Sequence, residues 1–138
     1  LLATGAFDRH VETLRTVYRT KKDAMLLALE TEFADWPEVR WTRPGGGLYV
    51  WVTFPPHVDA GPNGPLANRA LDAGVLYVPG EFGHVSDEFG TLPRNEVRLS
   101  FGVCTADQIS EGVHRLRTAC RGLEVAKREL AKRPGVGV

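Results

Sequence analysis

Residues 95–102 read Asn95-Glu96-Val97-Arg98-Leu99-Ser100-Phe101-Gly102, and no other stretch restricts the fold as tightly. Val97, Leu99 and Phe101 share one face of an extended chain, while Glu96, Arg98 and Ser100 share the other. That period of two belongs to a half-buried strand with one side on a core. A second strand signal lies upstream, where Leu48, Val50, Val52 and Phe54 alternate with Tyr49, Trp51 and Thr53. Both of its faces are largely apolar, which suits a central strand.

Helical signals bracket these strands. Phe7, Val11, Leu14 and Tyr18 recur at helical spacing, and Met25, Leu29 and Phe33 continue the stripe after the polar block Arg19-Thr20-Lys21-Lys22-Asp23. One helix over residues 8–34, stopped by Pro37, is expected. At about 1.5 Å per residue it would be roughly 40 Å long, more than a small domain needs. Its first half is therefore expected to pack on something outside this chain. Near the other end, Thr105-Ala106-Asp107-Gln108 is a capping box, and Ile109, Val113, Leu116, Cys120 and Leu123 form one apolar stripe that ends near Lys132.

Between the two long helices, residues 39–42 read as a short strand and residues 61–65 as a loop. A short helix then runs to Ala73 and stops at Gly74. Residues 75–78 read as a buried strand, and residues 79–94 as a polar, glycine-bearing loop of the length that often carries function. The order helix, strand, strand, helix, strand, strand, helix predicts an α/β fold, a small mixed sheet covered by helices. The predicted organisation is a long linker helix over residues 1–34 leading into a domain over residues 35–138.

Composition narrows the function classes. The 138 residues suffice for one core without staples. Seventeen basic residues balance seventeen acidic ones, so no global field favours nucleic acid or an anionic membrane. No apolar run approaches the roughly 20 residues that cross a bilayer, and the N-terminal residues lack the layout of a signal peptide. Two cysteines, Cys104 and Cys120, mark neither a disulfide framework nor a metal pair, which favours a reducing, cytoplasmic setting. His10, His57, His84 and His114 are scattered without ligand spacing, so no metal site is expected. Arg115, Arg117, Arg121, Lys127 and Arg128 read as the solvated outer face of the last helix.

An arginine in the middle of a short apolar strand is well placed to receive a carboxylate, because a guanidinium fork on a rigid strand binds it bidentately. Arg98 has this setting, and the competing reading is a surface arginine on the solvent face of an edge strand or a structural ion pair with Glu96 or Glu81. Gly45-Gly46-Gly47 precedes a strand, whereas a phosphate cradle follows a strand and opens a helix, so the triplet reads as structural. It is expected to let the backbone turn tightly and approach a neighbour. Pro79-Gly80-Glu81-Phe82 closes the third strand; His84 and Asp87 follow it with no nucleophile to serve, and a solvent-exposed role is expected for both.

Three segments, taken in order, carry a resemblance. They are Pro44-Gly45-Gly46-Gly47-Leu48-Tyr49-Val50-Trp51-Val52, Ala73-Gly74-Val75-Leu76-Tyr77-Val78-Pro79-Gly80-Glu81, and the strand around Arg98-Leu99-Ser100-Phe101. Together they resemble the C-terminal small domain of fold-type I, pyridoxal-phosphate-dependent aminotransferases of class I/II. The nearest group holds 2-aminoadipate and aromatic aminotransferases and MocR-type regulators. The resemblance implies that Arg98 anchors the substrate's α-carboxylate, that the Pro79–Glu81 loop lies near the active-site mouth, and that a family-type homodimer completes the site. It also implies a large domain that carries pyridoxal 5'-phosphate and the Schiff-base lysine. This chain has only Lys21, Lys22, Lys127 and Lys132, all in predicted helices, so no catalytic residue is assigned here and the chain alone is expected to be inactive. Two alternatives remain open: the effector domain of a MocR-type transcription regulator, and a stand-alone carboxylate-binding domain. No contact with nucleic acid through this domain, and none with a membrane, is expected.

Overall fold

The computed structural model describes residues 4–86 and 88–135. Helix α1 spans Thr4–Glu32, a run with no proline in which leucine, alanine, arginine and glutamate favour the helix. Its last turn closes where the Phe33 amide donates to the Leu29 carbonyl, and the chain then turns through Trp36. The strands are β1 (Arg40–Trp41), β2 (Tyr49–Thr53), β3 (Val78–Pro79) and β4 (Glu96–Ser100). Between β2 and β3 lies α2 (Pro65–Asp72), and α3 (Ala106–Lys132) closes the chain. The predicted capping box is present: the Gln108 amide donates to the Thr105 hydroxyl, and the Gln108 side chain accepts from the Thr105 amide.

The strands line up as β1-β2-β4-β3. Helices cover the sheet as expected, but it is not mixed, for every pairing is antiparallel. β2 and β3 run the same way, yet β4 lies between them, so parallel strands never pair. The interior place of β2 agrees with its two apolar faces.

The expected buried strand over residues 75–78 shrinks to two residues at the sheet edge. The Val75 amide is used by the end of α2, where it donates to the Ala70 carbonyl. Leu76 then points outward, 87% exposed, and only Tyr77 is buried. Pro79 brings no amide with which to extend the ladder.

One core holds the fold together. Val50 and Val52 of β2 and Val97 and Leu99 of β4 point to the same side and meet Met25 and Leu29 of α1, Leu66 of α2, and Ile109, Val113, Leu116 and Cys120 of α3. Phe33, Phe54 and Phe101 fill the space beside them, each nearly fully buried. Burial of each such side chain contributes about 1.5–3 kcal/mol. The opposite face of the sheet, with Tyr49, Trp51 and Arg98, carries no α-helix among the described residues and remains partly exposed.

Only the second half of α1 joins this core. Phe7, Leu14, Val17 and Tyr18 lie exposed along its first half, as the length of the predicted helix requires.

Candidate functional site

Register places the candidate site on the open face of the sheet. Arg98 lies opposite Trp51 of β2 on one side and Val78 of β3 on the other. Its guanidinium sits over the ring of Tyr49, 4.3 Å from the centroid, a diagonal neighbour on the same face. Cation–π contact of this kind contributes about 0.5–1 kcal/mol at a partly exposed site. The Arg98 Nε is buried and has no hydrogen-bond partner. A buried donor left unmade costs about 1–3 kcal/mol.

Neither of the two carboxylates that could have occupied Arg98 does so. Glu96, two residues away on the same face of β4, is 2.5 Å from the His84 Nε2. Glu81 lies 3.6 Å from Arg94, which also grips Asp59 at 3.1 Å. The ion-pair reading of Arg98 is therefore replaced by one in which its fork is open.

The segment after β3 folds over the same face. Gly80–Gly83 forms one 3₁₀ turn, and Gly80 lies so close to β4 that an added Cβ would stand 2.5 Å from the Glu96 Cβ. Only glycine tolerates that approach. His84 then sets its ring edge-on to Trp51, with centroids 5.8 Å apart. His84 is exposed, as expected, and is in addition paired with both Glu96 and Trp51. Asp87 lies outside the described residues.

The glycine triplet precedes β2, with Gly47 in the left-handed region at φ 85°. The tight turn is as predicted. The close approach to a neighbour is not, because an added Cβ at Gly45, Gly46 or Gly47 would meet nothing within 4 Å. The loop instead borders a cavity of about 450 Å³ whose other wall is Arg15, Tyr18, Arg19 and Lys22 of α1.

The lysines do not suit a Schiff base. Lys21 donates to the Gly102 carbonyl at 3.1 Å, and Lys127 and Lys132 stand exposed on α3. Lys22 is half-buried at the wall of the α1 cavity. This chain by itself thus lacks the group that would hold pyridoxal phosphate covalently. Among the described residues no cluster of three His, Cys, Asp or Glu could hold a metal ion, and no helix is long and apolar enough to cross a membrane. Both cysteines are free, and burial pushes the Cys120 thiol up to about 12.

One member of the basic group on α3 is misplaced by the sequence reading. Arg117 is 3% exposed. It donates to the Glu32 carbonyl at 3.2 Å and to Asp35 at 3.1 Å, and lies across Phe33 and Trp36. It buckles the end of α1 to α3, whereas Arg115, Arg121, Lys127 and Arg128 are exposed as expected. The signal was available, since position 117 falls on the apolar stripe, four residues after Val113 and three before Cys120. The His84–Glu96 pair had no comparable signal, because it depends on how a loop folds.

No family model matches the chain. Individual proteins do. The chain is 41% identical over 125 residues to a 2-aminoadipate transaminase of Thermus thermophilus, covering 89% of this chain and 28% of that protein. It is 35% identical over 130 residues to aromatic-amino-acid aminotransferase 1 of Thermococcus litoralis, covering 93% and 27%. The HTH-type transcriptional regulator YdfD of Bacillus subtilis is 28% identical over 113 residues, covering 82% and 21%. Among solved structures, the α-aminoadipate aminotransferase LysN of Thermus thermophilus, bound to N-(5'-phosphopyridoxyl)-L-leucine, matches with a TM-score of 0.75 at 39% identity, over 87% of this chain and 28% of that one. The chain thus spans just over a quarter of the length of the aminotransferases it matches.

Proposed function

We propose, since the chain belongs with the C-terminal small domains of fold-type I, pyridoxal-phosphate-dependent aminotransferases of class I/II, that it serves as the carboxylate-binding part of such an enzyme. Arg98 holds the α-carboxylate of an amino acid or 2-oxo acid, which fixes the α-carbon relative to the rest of the site. Helix α1 serves as the linker into the small domain that follows it. A large domain outside this chain supplies the lysine and most contacts to pyridoxal 5'-phosphate. That cofactor, when bound, withdraws electrons from the α-carbon and makes its proton acidic. A homodimer in a reducing cytoplasm completes the picture, with amino donors of the 2-aminoadipate or aromatic type.

One observation carries this reading: Arg98 lies on the open face of the sheet with neither Glu96 nor Glu81 on its guanidinium, since His84 holds the one and Arg94 the other.

The test is amino transfer by the full-length protein, with 2-aminoadipate and aromatic amino acids as donors and a 2-oxo acid as acceptor. Arg98→Lys keeps the charge and loses the fork, and is expected to lower kcat/KM by at least about thirtyfold. Unchanged kinetics in that variant would remove Arg98 from the site. Failure of the wild-type protein to transfer an amino group from any of these donors, although it binds the cofactor, would favour the second reading. That reading, an effector domain of a MocR-type regulator, draws on the match to YdfD and assigns Arg98 the same ligand group without turnover.

A further inference from the structure

We infer that His84 is a positioning residue: it draws the Glu96 carboxylate away from Arg98 and so keeps the guanidinium fork open for the substrate carboxylate. The inference rests on the reading of Arg98 given above, and deepens it.

Residues two apart on a strand share a face, so Glu96 and Arg98 project side by side from β4. A glutamate reaches far enough to span that spacing, and an adjacent guanidinium is its natural partner. Left alone, the pair would close on itself. An internal carboxylate on Arg98 is a tethered competitor, present at the high effective concentration that a short link imposes. Any external carboxylate would have to displace it.

The fold opposes this collapse. Gly80 brings the chain against the Cβ of Glu96, and the 3₁₀ turn that follows delivers His84 to the carboxylate, with Nε2 2.5 Å from Oε2. Trp51 braces the imidazole from the side. The Glu96 side chain is 21% exposed, so its contact with His84 is partly sheltered from water. Arg94 does the same for Glu81. Among the described residues Arg98 keeps the ring of Tyr49, which holds the guanidinium by its face.

The roles separate by charge. Removal of His84 should release Glu96 onto Arg98. Removal of the Glu96 charge should make His84 dispensable. In the full-length protein, His84→Ala is expected to raise KM for the amino donor about three- to tenfold with kcat nearly unchanged, because the competition is paid in binding. The dissociation constant of an unreactive monocarboxylic acid, read by titration calorimetry, should rise by the same factor. His84→Ala combined with Glu96→Gln should restore both values, and Glu96→Gln alone should leave them at wild-type levels. His84→Gln, which retains a donor for Glu96, should lie close to wild type.

The controls separate this inference from the reading beneath it. If Arg98→Lys leaves carboxylate affinity unchanged, Arg98 is not the anchor and both fall. If Arg98→Lys weakens binding but His84→Ala does not, the anchor stands and the role of His84 is overturned. A loss in His84→Ala that Glu96→Gln fails to rescue overturns it equally, since the loop would then be acting through packing alone.

Discussion

Arg98 and Arg117 both lie among apolar side chains, and their partners decide what each does. Arg117 donates from Nε to the Glu32 carbonyl and from Nη2 to Asp35, with its flat face against Phe33 and Trp36, and leaves only its buried Nη1 without a hydrogen bond. Arg117→Ala should cost about 2 kcal/mol in urea denaturation, from lost charged hydrogen bonds and lost packing. Arg117→Met keeps the stem and should cost less. The hydrogen bond from Arg117 holds the Asp35 carboxyl below the usual carboxylate range. A carboxylate whose folded-state pKa is depressed adds stability above its unfolded pKa and loses it as pH falls through the folded value. The gap between wild type and Arg117→Met should therefore be wide near about pH 6 and narrow only as pH falls below the ordinary Asp value of 3.8; a gap independent of pH would mean that the ion pair contributes nothing. The two thiols differ as well. Cys120 is buried on α3 and its pKa is raised to about 12, whereas Cys104 is half-buried in the turn before that helix. A thiolate-directed reagent should label Cys104 in the native protein and reach Cys120 only after unfolding. At this scale the alternation around Arg98 was legible because a strand fixes which side chains share a face. The burial of Arg117 was written in the same spacing that exposed the rest of its helix. The His84–Glu96 contact was not legible, since it joins residues twelve apart through a loop whose path no local pattern sets.

At the scale of elements, the long helices and the two longer strands were readable because each carries its own period and its own end signals. The capping box is the clearest case. Thr105→Ala should lower stability by about 1 kcal/mol, because an amide at the start of α3 loses its acceptor. The short strands were less legible: β1 and β3 have two residues each, too few for a period to emerge. The extent of β3 was set by a helix end and a proline, which compete for the same residues. Sheet direction was illegible for a related reason, because β4, the last strand in sequence, inserts between β2 and β3. Gly80→Ala tests how tightly the turn after β3 is pressed onto β4. It should lower both stability and carboxylate affinity, as the added methyl forces the turn off Glu96.

For the whole molecule, the main feature is the half of α1 that joins no core. Phe7 at 55% exposure, with Leu14, Val17 and Tyr18, forms an apolar stripe that a partner would cover. The isolated 138-residue chain should show a mass that rises with concentration. Phe7→Lys with Leu14→Lys should suppress that rise and leave the thermal midpoint near its original value, because neither residue packs in the core. The same stripe was visible in the sequence as a helical period too long for the domain behind it. What covers it was not visible there, and the short coverage of the matched aminotransferases points to the large domain of a longer protein. The most direct test is the mass and absorption of the native gene product, isolated from its source cell with an antibody against this chain. The account predicts a protein roughly three to four times the size of this chain, yellow with bound pyridoxal phosphate, as the 27–28% coverage of the aminotransferases implies. A colourless product no larger than the 138 residues would contradict it.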